Sequence, residues 1–290
     1  MDFSKPITDI IQERKSHRTY SGYPLEKHIR NKVMDLLENH ELKSPFSKYV
    51  RKARFELLSI PEFDPMEKKK LGTYGFIKGA QDFIVGAVEK SQYNLEHFGY
   101  LLETIILAIT DMDLGTCWLG GTFNRSLFSQ KINCSPDEIL PAITPIGIST
   151  HKSVREKFIR SFAKADKRLS WDNLFFEGNL TVPLNMNKIG EYSILLKMIQ
   201  VGPSAGNKQP WRIIKKPDKD LFHFYTINPK DGLFLHYSKF RPLDIGIAVC
   251  HFDLTAKELG ITGKWIFEDP QIPEVNNLLY KITWKGDNFD

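Results

Sequence analysis

The sequence of 290 residues is 41% hydrophobic and 26% charged, which excludes collagen-like, disordered and disulfide-stapled classes and leaves a folded chain of two domains or one large one. Its 40 basic residues against 35 acidic ones leave an excess of +5, too mild and too scattered to point to a nucleic-acid partner. Cys117, Cys134 and Cys250 lie far apart, with no CxxC pair and no histidine at ligand spacing, so neither a disulfide framework nor a metal site is encoded and a reducing, cytoplasmic setting fits best.

Charges from Asp2 to Arg18 leave no room for the apolar core of an export signal. Leu25, Ile29, Val33, Leu36 and Leu37, with Pro24 in front, predict a helix over 24–39. Phe55–Ile60 and Asp82–Val88 read as strands. A long helix follows at Asn94–Met112; its most apolar part, Tyr100–Ile109, contains Glu103 and is far shorter than the roughly 18 residues of a membrane span. It reads as a core helix, and no membrane partner is expected. Ala142–Ile148 is the next strand, Leu169–Phe176 an amphipathic run, and Glu177–Asn187 a polar stretch suited to a boundary. Beyond it come a helix-like run, Ile194–Val201, strands at Trp211–Ile214 and Leu221–Ile227, a second long helix at Leu243–Leu259, and a strand at Leu278–Trp284. The class is mixed α and β. The two long helices overlay at the offset that carries Trp118 onto Trp265, 147 residues, which also sets Gly99 on Gly246 and Leu107 on Leu254. This marks a candidate internal duplication, with chance overlay of two apolar helices as the alternative.

Four segments could carry chemistry. Arg14-Lys15-Ser16-His17-Arg18 puts Arg, Ser and Arg at alternate positions, so an extended chain sends all three to one face, where two guanidinium forks and a hydroxyl match phosphate oxygens. An exposed basic turn is the plainer alternative. Asp113-Leu114-Gly115-Thr116-Cys117-Trp118 ends the first long helix, and Gly115 could bring backbone N–H groups close to a ligand. Lys167-Arg168 offers two more phosphate ligands or a solvated pair. Gly202-Pro203-Ser204-Ala205-Gly206-Asn207-Lys208-Gln209-Pro210-Trp211 joins a helix-like run to a strand-like one. Its polar groups suit a planar ligand. The Gly-x-Ser-x-Gly string within it also suggests a serine-hydrolase elbow at Ser204, but an elbow needs a strand before the serine and a helix after it.

Together these segments resemble the FMN-dependent nitroreductase family, which typically carries an Arg-x-Ser-x-Arg element, a Pro-Ser-x-x-Asn-x-Gln-Pro-Trp loop and a Gly-Leu-Gly-Thr-x-Trp turn. They stand here at Arg14–Arg18, Pro203–Trp211 and Asp113–Trp118, with Asp113 in place of the usual first glycine. Ordinary members are homodimers in which each flavin takes the first element from one subunit and the loop from the other. In this chain the loop comes far downstream, the first half keeps only a degenerate counterpart around Ser44-Pro45, and the second half has no Arg-x-Ser-x-Arg and a weakened turn, Ile261–Trp265.

The resemblance therefore implies an α+β nitroreductase-like fold with mixed, mostly antiparallel sheets packed by helices. Two tandem halves, 1–180 and 181–290, would act as a fused pseudo-dimer, monomeric, with one FMN. It implies that Arg14, Ser16, Lys167 and Arg168 hold the phosphate, with Lys15 beside them in the cofactor site, that Arg18 sits near the pyrimidine edge of the ring, and that the Leu114-Gly115 backbone approaches its redox-active N5. Pro203, Ser204, Ala205 and Asn207 would line the ring, and Thr73 and Tyr74 would face the flavin or close the pocket. The flavin carries the chemistry, so no catalytic side chain is required. NADH or NADPH is the implied donor and a small oxidised molecule, a nitroaromatic or quinone, the implied acceptor, in ping-pong order. A non-catalytic FMN sensor or carrier shares every one of these motifs.

Overall fold

The computed structural model describes residues 2–38, 42–68, 70–73, 76–150, 167–227, 235–272 and 277–287. It divides into two compact units, Met1–Lys5 with Glu13–Ala163, and Pro6–Gln12 with Lys164–Asp290. The short helix α1 (Ile7–Glu13) thus belongs almost wholly to the second unit.

In the first unit, β1 (Ala53–Ser59) and β2 (Asp82–Glu89) form an antiparallel pair whose register runs from Ala53↔Val88 to Ser59↔Asp82. The helices α2 (Lys27–Leu37) and α3 (Pro65–Lys68) flank it in sequence. Next comes α4 (Asn94–Asp111), buried without a break from Glu96 to Ile109. A two-residue strand β3 (Gly115–Thr116), α5 (Arg125–Lys131), β4 (Glu138–Ile139) and β5 (Ile143–Gly147) complete the unit. The sheet order is β1-β2-β5-β3, all antiparallel, with β4 also on β2. β2 is buried along almost its whole length because both faces are covered. Phe83, Val85 and Ala87 meet a cluster with Phe63, Phe123 and Phe128, which explains the continuous apolar run in the sequence.

In the second unit, β6 (Phe175–Glu177), α6 (Tyr192–Val201), β7 (Trp211–Lys215), β8 (Leu221–Ile227), α7 (Leu235–Ser238), α8 (Arg241–Glu258), β9 (Gly263–Ile266) and β10 (Leu278–Gly286) follow one another. The sheet order is β6-β7-β8-β10-β9, parallel only between β6 and β7. Phe222, Phe224, Phe252, Trp265 and Trp284 pack edge to face or tilted, with centroids 5.2–5.8 Å apart, an arrangement aromatic quadrupoles favour. Backbone N–H groups of Ile7 and Thr8 at the start of α1 donate to the Glu258 carboxylate, where a negative charge is favourable.

Each unit builds the same sequence of elements: an antiparallel hairpin, an 18-residue helix, an edge strand, then a strand inserted between that edge and the hairpin. The helices begin at Asn94 and Arg241 and end at Asp111 and Glu258, the same 147-residue step. Their C-terminal caps repeat bond for bond. Leu114 N–H donates to Ile109 O as Ile261 N–H does to Ala256 O, and Met112 N–H donates to Ala108 O as Leu259 N–H does to Thr255 O. The left-handed residue such a cap needs is Asp113 (φ +59°) in one unit and Gly260 (φ +67°) in the other.

Candidate functional site

In the first unit, the Arg-x-Ser-x-Arg segment runs beside the turn that ends α4. Ser16 forms a parallel bridge with Thr116, and His17 N–H donates to Thr116 O at 2.8 Å. The segment continues into bridges from Thr19 to Lys78 and Tyr20 to Ser149. Gly115 is needed at this crossing. A Cβ there would sit 3.0 Å from Ser149 Cβ and 3.1 Å from His17 Cβ and Cγ. Two sequence candidates, Arg14–Arg18 and Leu114-Gly115, are thereby brought together.

The Arg14 side chain is 6% exposed, and its Nε lies 3.7 Å from Oε1 of the wholly buried Glu103, whose Oε2 accepts Trp118 Nε1–H at 2.7 Å. Arg14 Nε and Arg18 Nη1 are buried donors with no hydrogen-bond acceptor among the described residues. Buried guanidinium donors are ordinarily satisfied, and anionic oxygens are the acceptors they take best. Lys15 is exposed and Ser16 half-buried. Asp113 shows why the family places glycine at its position. The residue is left-handed, a conformation Asp tolerates better than most, and its exposed carboxylate also takes Lys5 Nζ at 3.1 Å. Thr73 is half-buried; Tyr74 lies outside the described residues.

In the second unit, the Pro203–Asn207 loop leaves α6 and enters β7, the helix-to-strand order opposite to that of a hydrolase elbow. Ser204 Oγ accepts Gln209 N–H at 2.8 Å, so the hydroxyl closes its own loop. Gly206 (φ +58°) and Asn207 (φ +55°) are consecutive left-handed residues. The first must be glycine, since a Cβ would lie 2.8 Å from the Tyr237 ring. Arg168 Nη2 and Nε donate to Val201 O at 2.9 and 3.3 Å and Nη1 to Asn207 Oδ1 at 3.2 Å, while Asn207 Nδ2 donates to Lys167 O at 2.8 Å. Lys167-Arg168 therefore braces the Pro203–Asn207 loop, a contact its reading as phosphate ligands did not foresee.

Sequence reasoning passed over Asp244, and it quoted Gln209 in the loop without a partner for it. Asp244 Oδ1 accepts Ala205 N–H at 2.9 Å, and burial pushes its carboxyl up to about 8 against the opposing effects of that N–H and of Arg241. Gln209 Oε1 accepts Leu169 N–H at 2.9 Å. The available signal for Asp244 was a lone acid in the apolar run Leu243–Cys250, since a buried charge needs a specific partner.

A family model described as "Putative TM nitroreductase" matches residues 6–256. The chain belongs to this nitroreductase family. A solved structure from Thermotoga maritima MSB8, described as a "putative nitroreductase", is similar over 99% of this chain and 95% of its own, at 18% identity and a TM-score of 0.58, so the nitroreductase fold extends along the whole chain. A nitroreductase with bound FMN from Desulfitobacterium hafniense DCB-2 is similar at 16% identity and a TM-score of 0.40, over 51% of this chain and 92% of its own. No curated protein matches. The α+β architecture expected for a nitroreductase, with mostly antiparallel sheets, is the one observed. No helix among the described residues is long and apolar enough to cross a membrane, and none of their His, Cys, Asp and Glu residues cluster as a metal site.

Proposed function

We propose that this nitroreductase is an FMN-dependent oxidoreductase that takes electrons from NADH or NADPH and passes them to a small oxidised acceptor, a nitroaromatic or quinone. The observation that carries the proposal is the pair of buried, unsatisfied guanidinium donors, Arg14 Nε and Arg18 Nη1, on a segment pinned to the Gly115 turn. Arg14, Ser16 and Arg18 take the phosphate and the pyrimidine edge of the ring, and Lys15, Lys167 and Arg168 add positive charge. Pro203, Ser204, Ala205 and Asn207 take the ring face, the Leu114-Gly115 backbone faces the redox-active edge, and Thr73 faces the flavin or closes the pocket, the role the sequence also gives to Tyr74. When bound, FMN supplies the hydride and electron chemistry. The protein's part is to neutralise the phosphate, hold the ring with backbone and amide groups that need no titration, and keep positive charge where the reduced ring is anionic.

The chain further reads as two tandem halves, monomeric, with one FMN. The repeated cap at the 147-residue step and the matching strand order support this, as does the occurrence of each motif of the resemblance only once in recognisable form, the turn with Asp113 for its first glycine. That none of Cys117, Cys134 and Cys250 is in a disulfide suits a reducing cytoplasm. The test is anaerobic titration of flavin-loaded protein with NADH and NADPH, followed by addition of a quinone or nitroaromatic. Bleaching and recovery of the flavin absorption are expected. A loaded protein that neither nicotinamide reduces would instead be a flavin carrier or sensor.

A further inference from the structure

We infer that Asp244 is the positioning residue of the ring-binding loop, clamping the Ser204–Ala205 peptide so that the strained turn after it keeps its shape. The inference rests on the proposed FMN reading. Asp244 lies one turn into α8 and is 3% exposed. Its Oδ1 accepts Ala205 N–H at 2.9 Å, fixing the plane of the peptide whose carbonyl, Ser204 O, in turn accepts Asn207 N–H at 2.9 Å. Two successive left-handed residues, Gly206 and Asn207, persist only where the surroundings over-determine them. The Asp244 side chain also forms part of the wall of a cavity of about 320 Å³ that Ala205, Lys208, Tyr237 and Arg241 share, so the clamp stands at the edge of open space on the loop's own side.

An independent observation comes from the first unit. One 147-residue step before Asp244 stands His97, equally one turn into its long helix, and its Nδ1 lies 2.7 Å from Ser44 Oγ. Ser44-Pro45 is the segment whose sequence reads as the degenerate counterpart of the loop. If Ser44-Pro45 is the loop's counterpart, the same helix position holds the loop in both units, through a backbone N–H in the second and a serine side chain in the first. An acceptor for the loop backbone goes together with an intact flavin motif, and a histidine with a lost one.

The test compares FMN and riboflavin binding, by quenching of flavin fluorescence, in wild type, Asp244→Ala, Asp244→Asn and Arg14→Met, with thermal unfolding recorded for each. Riboflavin lacks the phosphate, so it reports the ring alone. Asp244→Ala leaves a buried N–H without a partner and is expected to weaken both flavins by the same factor, about tenfold or more. Asp244→Asn keeps an acceptor oxygen and is expected to stay within about threefold of wild type. Arg14→Met is expected to weaken FMN and leave riboflavin unchanged. A purely structural effect would follow the loss of thermal stability and would not be rescued by Asn. The inference is overturned if Asp244→Ala binds both flavins like wild type, weakens FMN alone, or is matched by Asp244→Asn. Wild type that binds neither flavin overturns the FMN reading itself and the inference with it.

Discussion

Replacing Gly115 by alanine perturbs the point where the Arg14–Arg18 segment crosses the turn after α4. The added Cβ meets Ser149 Cβ at 3.0 Å and His17 Cβ and Cγ at 3.1 Å, closer than ordinary van der Waals contact. Relief requires moving His17 by a few tenths of an ångström, and His17 is tied to Thr116 O by its own N–H, so the shift carries Ser16 and Arg18 with it. Overpacking costs about 1–3 kcal/mol. The opposing atoms belong to side chains, which puts the cost near the lower end, and the lower entropy of an unfolded chain with alanine returns about 0.5 kcal/mol. A net loss of about 0.5–1 kcal/mol is expected in urea unfolding, together with FMN affinity weakened about tenfold, since the residues proposed to hold the phosphate move as a group. Unchanged stability and unchanged FMN affinity would refute the close packing of this segment on the turn and its role in holding the phosphate.

Further outcomes follow from the same physics. Asp113→Gly relieves a left-handed aspartate at the cost of an exposed pair with Lys5, and the first effect is the larger; a gain of about 0.5 kcal/mol in urea unfolding is expected. His97 and His223 are buried, and desolvation holds each near a value of about 4 against an ordinary 6.5. Below pH 6.5 the unfolded chain binds protons that the folded chain refuses, so each contributes stability above 6.5 that is lost as pH falls toward 4, on the order of 2–3 kcal/mol apiece. Unfolding followed across that range in His97→Asn should show a shallower acid limb than wild type. Arg54 donates to Glu138 through Nε and Nη2, both at 2.9 Å, and holds the carboxyl down to about 2. Its contribution is complete above pH 4.5 and disappears as pH falls toward 2. Glu138→Gln should cost about 2 kcal/mol at neutral pH and nothing below pH 2.

Much of the core was legible because it is periodic or continuously apolar. The helices at Asn94 and Arg241 and the strands at Asp82, Trp211 and Leu221 lie within about two residues of their sequence readings. What escaped depends on distant partners. β6 is only three residues long and exists because β7, far along the chain, accepts it in parallel. Its first two residues end the run Leu169–Phe176, whose pattern reads only as amphipathic. The placement of α1 in the second unit follows from Ile7, Ile10 and Ile11 finding cover there, which a seven-residue pattern does not encode. Of the candidate site, the residue types were readable from motif spacing. Spacing does not encode that Arg168 points at Val201 and Asn207, nor that a buried aspartate holds Ala205. The left-handed Asp113 was partly readable, as an aspartate where glycine is usual.

The central claim is that the chain holds one FMN. It is tested most directly by the amount of FMN released per chain when purified, flavin-saturated protein is denatured. The account predicts a yellow protein that releases close to one equivalent, and an Arg14→Met variant that releases far less. Two equivalents would contradict the single intact motif set, and a chain that stays colourless in excess FMN would contradict the flavin reading altogether.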